Sequence, residues 1–120
     1  MEIRRSRSDN ILVLSLIGDL DGRSAPAAQE EILPALPPNE RILLDLSELN
    51  MVTSAGLRTM LLIYRQAQAR NSTVALVGLS KQLRNILSAT GFLTFFVVTE
   101  SVEDGLVKLA DAQVQQSGAL

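Results

Sequence analysis

The chain has 120 residues, of which 47% are hydrophobic, and its 11 basic and 13 acidic side chains give a net charge of −2. This length suits one domain with a real core, and the near-balanced charge argues against nucleic acid as a partner. Because the chain has no cysteine and no histidine, disulfides, thiol nucleophiles, Ser-His-Asp catalysis and nearly every zinc or copper site are excluded. A Mg²⁺ ion held by carboxylates is the remaining alternative, but no motif supports it, so no metal and no cofactor are expected.

The N-terminal part of the chain predicts a hairpin followed by a helix. Residues 2–7 and 11–17 are short strand-like runs separated by a polar turn. Residues 18–22, Gly-Asp-Leu-Asp-Gly, have the composition of a loop. Ser24 is a plausible N-cap for the helix that follows, which has a proline in its first turn and ends in a cluster of prolines.

Strand-like and helix-like segments alternate through the rest of the chain. In order, these are a strand at 41–46, a helix at 57–69, a strand at 73–79, a helix between Ser80 and Gly91, a strand at 95–98 and a helix capped by Ser101. This alternation predicts an α/β fold with a mixed, mostly parallel sheet of about five strands and about four helices.

The predicted helix at 57–69 carries apolar residues at helical spacing, which indicates a face directed at the core. Arg58 and Arg65 fall on its other faces and are expected to be solvated. The apolar positions are Leu57, Met60, Leu61, Tyr64 and Ala67.

The ends of the chain bear on domain organisation and localisation. Residues 1–113 are expected to form one domain, and residues 114–120 a flexible tail. The N-terminal segment is charged and has no continuous apolar region of the kind a secretion signal needs, and no run approaches the ~20 apolar residues of a membrane-spanning helix. A cytoplasmic protein without direct membrane insertion is therefore expected.

Ser54 stands where a predicted strand gives way to a predicted helix. Helix N-termini expose unpaired N–H groups and the positive end of the helix dipole. A hydroxyl at such a position can cap the helix, or it can be a residue to which a phosphoryl group is added and removed. From the residues alone, both roles stay open.

Three segments of the chain resemble the single-domain STAS proteins that act as anti-sigma factor antagonists. The first is Gly18–Asp21, Gly-Asp-Leu-Asp, after the second strand. The second is Leu43–Ser47 followed by Val52–Leu57, with its Ser-Ala-Gly-Leu element, and the third is Ser88–Leu93 before the last strand. The resemblance extends over about residues 2 to 112 and implies the STAS fold.

The resemblance also implies a mechanism. In this family the unphosphorylated domain binds a partner that is both anti-sigma factor and serine kinase, and so frees a sigma factor. The kinase then uses ATP to phosphorylate a serine, which matches Ser54 here, and a serine phosphatase reverses the modification. Thr53 replaces the acid that usually precedes this serine, and is itself the alternative acceptor. The domain is expected to be a monomer, with weak dimerisation as the alternative.

The same resemblance indicates which residues contact the partner. Arg58 and Leu62 stand where relatives often carry glycine, which bears on partner identity more than on fold. Arg58 also lies one turn from Ser54, so contact with the partner or with the phosphate is the alternative to a solvated role. Asp45 is expected to have a structural role, as a strand-end carboxylate that accepts backbone N–H groups. The candidate contact residues are Asp19, Asp21, Thr53, Ser54, Ala55, Gly56, Leu57 and Arg58.

Other functions are weaker alternatives. One is a STAS interaction subunit, never phosphorylated, that docks onto a transporter or a lipid-trafficking complex. A small enzyme is poorly supported because the chain has no histidine, cysteine or glycine-rich phosphate loop. Nucleotide binding is disfavoured because residues 18–22 are too short and too acidic to cradle phosphate. The chain is therefore not expected to be an enzyme.

Overall fold

The computed structural model describes residues 1–99, 101–107 and 109. The expected tail at 114–120, together with the expected domain end at 113, lies outside those residues. The strands are β1 (Glu2–Ser8), β2 (Ile11–Leu20), β3 (Arg41–Asp45), β4 (Leu49–Val52), β5 (Thr73–Val77) and β6 (Val97–Thr99). The α-helices are α1 (Ala25–Ile32), α2 (Ser54–Ala69) and α3 (Lys81–Thr90), with 3-10 turns at Leu33–Ala35 and Phe92–Phe95. Residues 102–107 and 109 are also helical.

The strands form one mixed sheet in the order β1-β2-β3-β5-β6, and β4 pairs with β2 off this path. The β1–β2 pair is an antiparallel hairpin, whereas every other pairing is parallel. The central register places Leu14 opposite Leu44, and Leu44 opposite Leu76. The predicted α/β class with a mostly parallel sheet is therefore confirmed.

Both faces of the sheet carry apolar side chains because the central strands alternate hydrophobic residues on either side. On one face, Leu12, Leu14 and Leu16 of β2 belong to the larger core, which also contains buried residues of α1, α2 and α3. On the opposite face, Ile11 and Val13 pack in a smaller core that Leu109 joins. The helices therefore cover the sheet on both sides, three of them on one.

The described residues form six strands where the sequence predicted about five, because strand β4 was not predicted. Strand β2 also runs three residues further than expected, through Gly18 to Leu20, so part of the predicted loop is a strand. Gly18 adopts a φ of 106°, which glycine tolerates, and the register shifts between Gly18 and Asp19. This bulge redirects the end of β2 so that it can pair with β4. The last strand begins at Val97, because Phe92–Phe95 forms a 3-10 turn.

The predicted apolar face of helix α2 is confirmed for most of its residues. Met60 and Ala67 are buried in the larger core, and the partly buried Leu57 and Tyr64 pack against it. Among the described residues, Leu61 is partly buried and belongs to neither core, so the prediction of a core role was wrong for that residue. Small residues on the inner side let the helix lie close to its neighbours, and Gln29 of α1 donates a hydrogen bond to the Thr59 hydroxyl over 2.9 Å. The buried residues of α2 are Gly56, Thr59, Met60, Ile63 and Ala67.

The described residues contain neither a membrane-spanning helix nor a cluster of metal-binding side chains. None of their helices has the length and hydropathy needed to cross a bilayer. Nor are three or more histidine, cysteine, aspartate or glutamate side chains grouped there in a way that could hold a metal ion.

Candidate partner-binding site at the start of helix α2

The pairing of β2 with β4 brings two distant parts of the sequence together. Asp19 lies opposite Met51 and Leu20 opposite Val52, and the Thr53 N–H donates to the Leu20 carbonyl over 3.1 Å. The segment that ends in Asp21 and the segment that leads into α2 therefore emerge side by side at one edge of the sheet. This arrangement places the candidate residues Asp19 and Asp21 on the same end of the molecule as the start of α2.

Ser54 is the first residue of α2, and its side chain is exposed. The N-cap is Thr53, whose backbone is extended with φ −96° and ψ −179°, so the interpretation of Ser54 as the helix cap was wrong. The physical reason is that β4 continues to Val52, which leaves Thr53 as the single residue between strand and helix. Among the described residues, the Ser54 hydroxyl has no hydrogen-bond partner, and it is open to solvent.

Thr53 presents its hydroxyl to the interior instead. Its Oγ1 atom is buried and has no hydrogen-bond partner among the described residues, and it does not cap the helix. A buried hydroxyl without a partner is destabilising by about 1–3 kcal/mol. Of these two neighbouring hydroxyl residues, Ser54 is therefore the exposed one, and the hydroxyl oxygen of Thr53 is shielded from solvent.

We expect Thr53→Val to leave the free energy of unfolding unchanged or raise it by about 1 kcal/mol, because valine keeps the shape and removes the unpaired hydroxyl. The matched control is Ser80, the N-cap of α3, whose Oγ accepts from the Leu83 N–H over 3.0 Å. Ser80→Ala should lower the unfolding free energy by about 1 kcal/mol, as loss of a working cap does. Urea unfolding measures both variants. Equal losses would mean that the Thr53 hydroxyl caps α2 in solution.

Gly56 is buried because α2 begins directly against the end of β2. A Cβ atom at this position would overlap the carbonyl oxygen of Leu20 and lie 2.9 Å from Cγ1 of Val52. Glycine is therefore required at position 56 by packing inside the domain, because this residue sets how closely α2 approaches β2. Of the neighbouring candidates, Ala55 and Leu57 are partly exposed, and Leu57 also packs on the larger core.

Asp21 organises the turn that follows β2. Its Oδ1 accepts hydrogen bonds from the backbone N–H groups of Ser24, over 3.1 Å, and Arg23, over 2.9 Å. These bonds, that from Ser24 first, hold the pKa of Asp21 below its ordinary value. Because the folded-state pKa is lowered, this contribution is present at neutral pH and is lost only as the pH falls through that lowered pKa. Asp21 is therefore a fixed negative charge beside the start of α2.

The Ser24 side chain closes the same turn. Its hydroxyl donates to the Asp19 carbonyl over 2.7 Å and accepts from the Asp21 N–H over 3.0 Å. Ser24 occupies the predicted N-cap position of α1, but its side chain makes no capping bond to that helix. The Asp19 side chain itself is exposed. Hydrogen bonds from side chains thus close the turn, while the side chain of Asp19 stays exposed to solvent.

Two further side chains bear on the extent of the site. Asp45 accepts from the Ser47 N–H over 3.1 Å, which is the structural role that the sequence predicted. Met51 of β4 is 47% exposed and lies beside Asp19, and sequence analysis did not identify it as part of the site. The sequence indicated Met51 only by its position just before the Val52–Leu57 segment. Strand β4, which carries Met51, is too short to show the alternating pattern of a strand.

A family model described as "Mlab, STAS domain" matches residues 3–99 of the chain. The chain belongs to the STAS domain family. A curated relative of this STAS domain, named as the anti-sigma factor antagonist BtrV of Bordetella bronchiseptica, is 30% identical over 104 residues, which are 86% of this chain and 90% of the relative. The resemblance drawn from the Ser-Ala-Gly-Leu element and its surroundings is thereby confirmed.

Solved structures of similar proteins share the fold of this STAS domain. An anti-sigma factor antagonist from Mycobacterium paratuberculosis superposes with a TM-score of 0.80 at 21% identity, covering 91% of this chain and 93% of that one. The anti-sigma factor antagonist SpoIIAA, in its unphosphorylated form, superposes with a TM-score of 0.75 at 17% identity, covering 92% and 97%. At these identities, the likeness establishes the fold.

Proposed function

We propose that this STAS domain is an anti-sigma factor antagonist that is switched by phosphorylation of Ser54. In its unphosphorylated form it binds an anti-sigma factor that is also a serine kinase, and so frees a sigma factor. The observation that carries the proposal is the exposed Ser54 hydroxyl at the first position of α2, beside the Asp19–Asp21 turn. The name of the relative BtrV supports the same activity.

The position of Ser54 explains how one modification can spare the fold and break a complex. Phosphorylation adds about −1.5 to −2 charges and three strong acceptor oxygens. At the first residue of a helix, the dipole and the N–H groups of the first turn stabilise such a charge. In a dry interface that also includes Asp19 and Asp21, the same charge is repelled and costly to desolvate.

The proposed contact surface consists of the exposed parts of the β2–α1 turn and of the first turns of α2. Asp19 and Asp21 supply negative charge that can pair with a basic patch on the partner. Arg58, on α2, supplies a positive charge to the same surface. Gly56 is not itself part of the contact surface, because it is buried. It acts by setting the position of the first turn of α2, and with it the positions of Ser54 and Ala55. In this proposal the domain is cytoplasmic and monomeric, has no turnover of its own, and is restored by a serine phosphatase.

The proposal is tested by immobilising the purified chain and passing a lysate of its own cells over it. We expect retention of an ATP-binding serine kinase, and its release when ATP is added and Ser54 becomes phosphorylated. A Ser54→Ala column is the control, because it should retain the kinase with or without ATP. Retention of transporter or lipid-trafficking ATPase subunits that ATP does not release would instead favour the alternative role as a constitutive docking subunit.

A further inference from the structure

Arg58 lies on the same exposed side of α2 as Ser54, four residues further along the helix. Residues at this spacing have Cβ atoms about 5–6 Å apart, with a rise of about 6 Å along the axis. Helical side chains lean toward the N-terminus of their helix. The guanidinium of Arg58 can therefore reach the turn that carries the Ser54 hydroxyl.

Arg58 has no partner of its own in the described part of the chain. The ion pairs found there join Arg4 to Glu2 and Arg7 to Glu40, both far from this helix. Helix α2 contains no acidic residue at all. The Arg58 charge therefore lies near the positive end of the helix dipole with nothing on its own helix to offset it, which is an unfavourable place for a cation.

We propose that Arg58 is an intramolecular clamp for a phosphoryl group on Ser54. Guanidinium groups pair with phosphate oxygens through two parallel N–H···O bonds, and this pairing would turn an unfavourably placed cation into a favourable one. The clamp holds the phosphate against the helix surface and makes its oxygens less available to a phosphatase. Arg58 thus sets the lifetime of the switched-off state. This inference rests on the phosphorylation of Ser54 in the proposed function.

Three other charged residues lie in the segment that emerges beside the start of α2. Asp19 and Asp21 would raise the pKa of a phosphate on Ser54, whereas Arg23 would lower it, as Arg58 does. These groups are present in both the wild type and any Arg58 variant, so the difference in the phosphate pKa between the two proteins reports the effect of Arg58 alone. Arg65 is the matched control: it is also exposed on α2, but it lies about 16 Å along the axis from Ser54.

The experiment uses the full chain with phosphoserine inserted genetically at position 54, so that no kinase is needed. The pH titration of its phosphorus NMR signal is compared among the wild type, Arg58→Gln and Arg65→Gln. We expect Arg58→Gln to raise the second pKa of the phosphate, strengthening proton binding about twofold, and Arg65→Gln to change nothing. Dephosphorylation by a broad-specificity serine phosphatase should speed up about twofold in Arg58→Gln alone.

Identical titrations for the wild type and Arg58→Gln, with both variants folded by circular dichroism, would overturn the clamp. So would equal changes in the Arg58 and Arg65 variants, since these would reflect only the net charge of the domain. Because the phosphoserine is inserted during synthesis, either result stands whether or not Ser54 is phosphorylated in cells. Failure of the clamp is therefore distinguishable from failure of the proposed switch.

Discussion

Ser54→Asp is expected to weaken binding to the kinase partner at least tenfold, which is about 1.4 kcal/mol or more, while the domain stays folded. The aspartate supplies part of the phosphate charge and places it beside Asp19 and Asp21 in the proposed interface. At the first position of α2 the negative charge of the aspartate interacts favourably with the helix dipole and stabilises the fold by about 0.3–1 kcal/mol, so the free energy of unfolding should not fall. Calorimetric titration and thermal unfolding of the same samples give both quantities.

Ser54→Ala is the control for that prediction, because it removes the hydroxyl without adding charge. The Ser54→Ala variant should bind the partner as tightly as the wild type does, and ATP should no longer release the partner from it. An unchanged affinity in Ser54→Asp would contradict the switch at this residue. A large loss of affinity in Ser54→Ala would assign the serine to the contact itself rather than to regulation.

Gly56→Ala is expected to lower the free energy of unfolding by about 2–3 kcal/mol, although alanine is normally the better helix former by about 1 kcal/mol. The added methyl group meets the Leu20 carbonyl oxygen and the Val52 side chain, neither of which is the flexible end of a long side chain. The start of α2 must therefore move away from β2. In a domain of this size such a loss lowers the melting temperature by about 10 °C or more.

Gly22→Ala is the matched control, since a Cβ at that position meets no atom within 4 Å. Its melting temperature should stay within a degree or two of the wild type, in line with the small effect of most surface substitutions. Gly56→Ala should also weaken partner binding, because moving the helix displaces Ser54. Wild-type stability in Gly56→Ala would show that α2 can shift without cost and that the close approach is not a constraint.

Much of the fold could be predicted from the sequence because the central strands and helices have strong local signals. Ser80 and Gly91 bound α3 as predicted, with Ser80 capping it and Gly91 in the left-handed conformation. Ser101 likewise accepts from the Asp104 N–H over 3.1 Å, as its capping motif predicts. These elements depend on side chains within a few residues of each other, which the sequence displays directly.

Strand β4 and the small-residue part of the inner face of α2 depend on contacts between distant residues, so the sequence did not indicate them. Strand β4 has four residues, Leu49–Val52, and exists because a bulge at Gly18 turns the end of β2 toward it. On the inner face of α2, Met60 and Ala67 were predicted from their spacing, whereas Gly56 and Thr59 are not large apolar residues and were not. Such short strands and small-residue packing faces are decided by tertiary structure rather than by local propensity.

For the candidate site, the sequence identified the serine and the acidic turn but not their relation. That Asp21 and Ser54 emerge side by side follows from the β2–β4 pairing, which was not predicted. The choice between Ser54 and Thr53 also needed the structure, because both are small hydroxyl residues at the same boundary. Only the side-chain directions, with Ser54 exposed and the Thr53 oxygen buried, distinguish them.

The most direct test of the switch is the mass of the tryptic peptide Ile42–Arg58, taken from protein isolated from its own cells with and without serine phosphatase treatment. This peptide contains Ser47, Thr53 and Ser54, and fragmentation identifies which hydroxyl is modified. We expect one phosphatase-sensitive phosphoryl group, on Ser54. A peptide that is unmodified under every growth condition, or that carries its phosphoryl group on Thr53 or Ser47, would contradict the account.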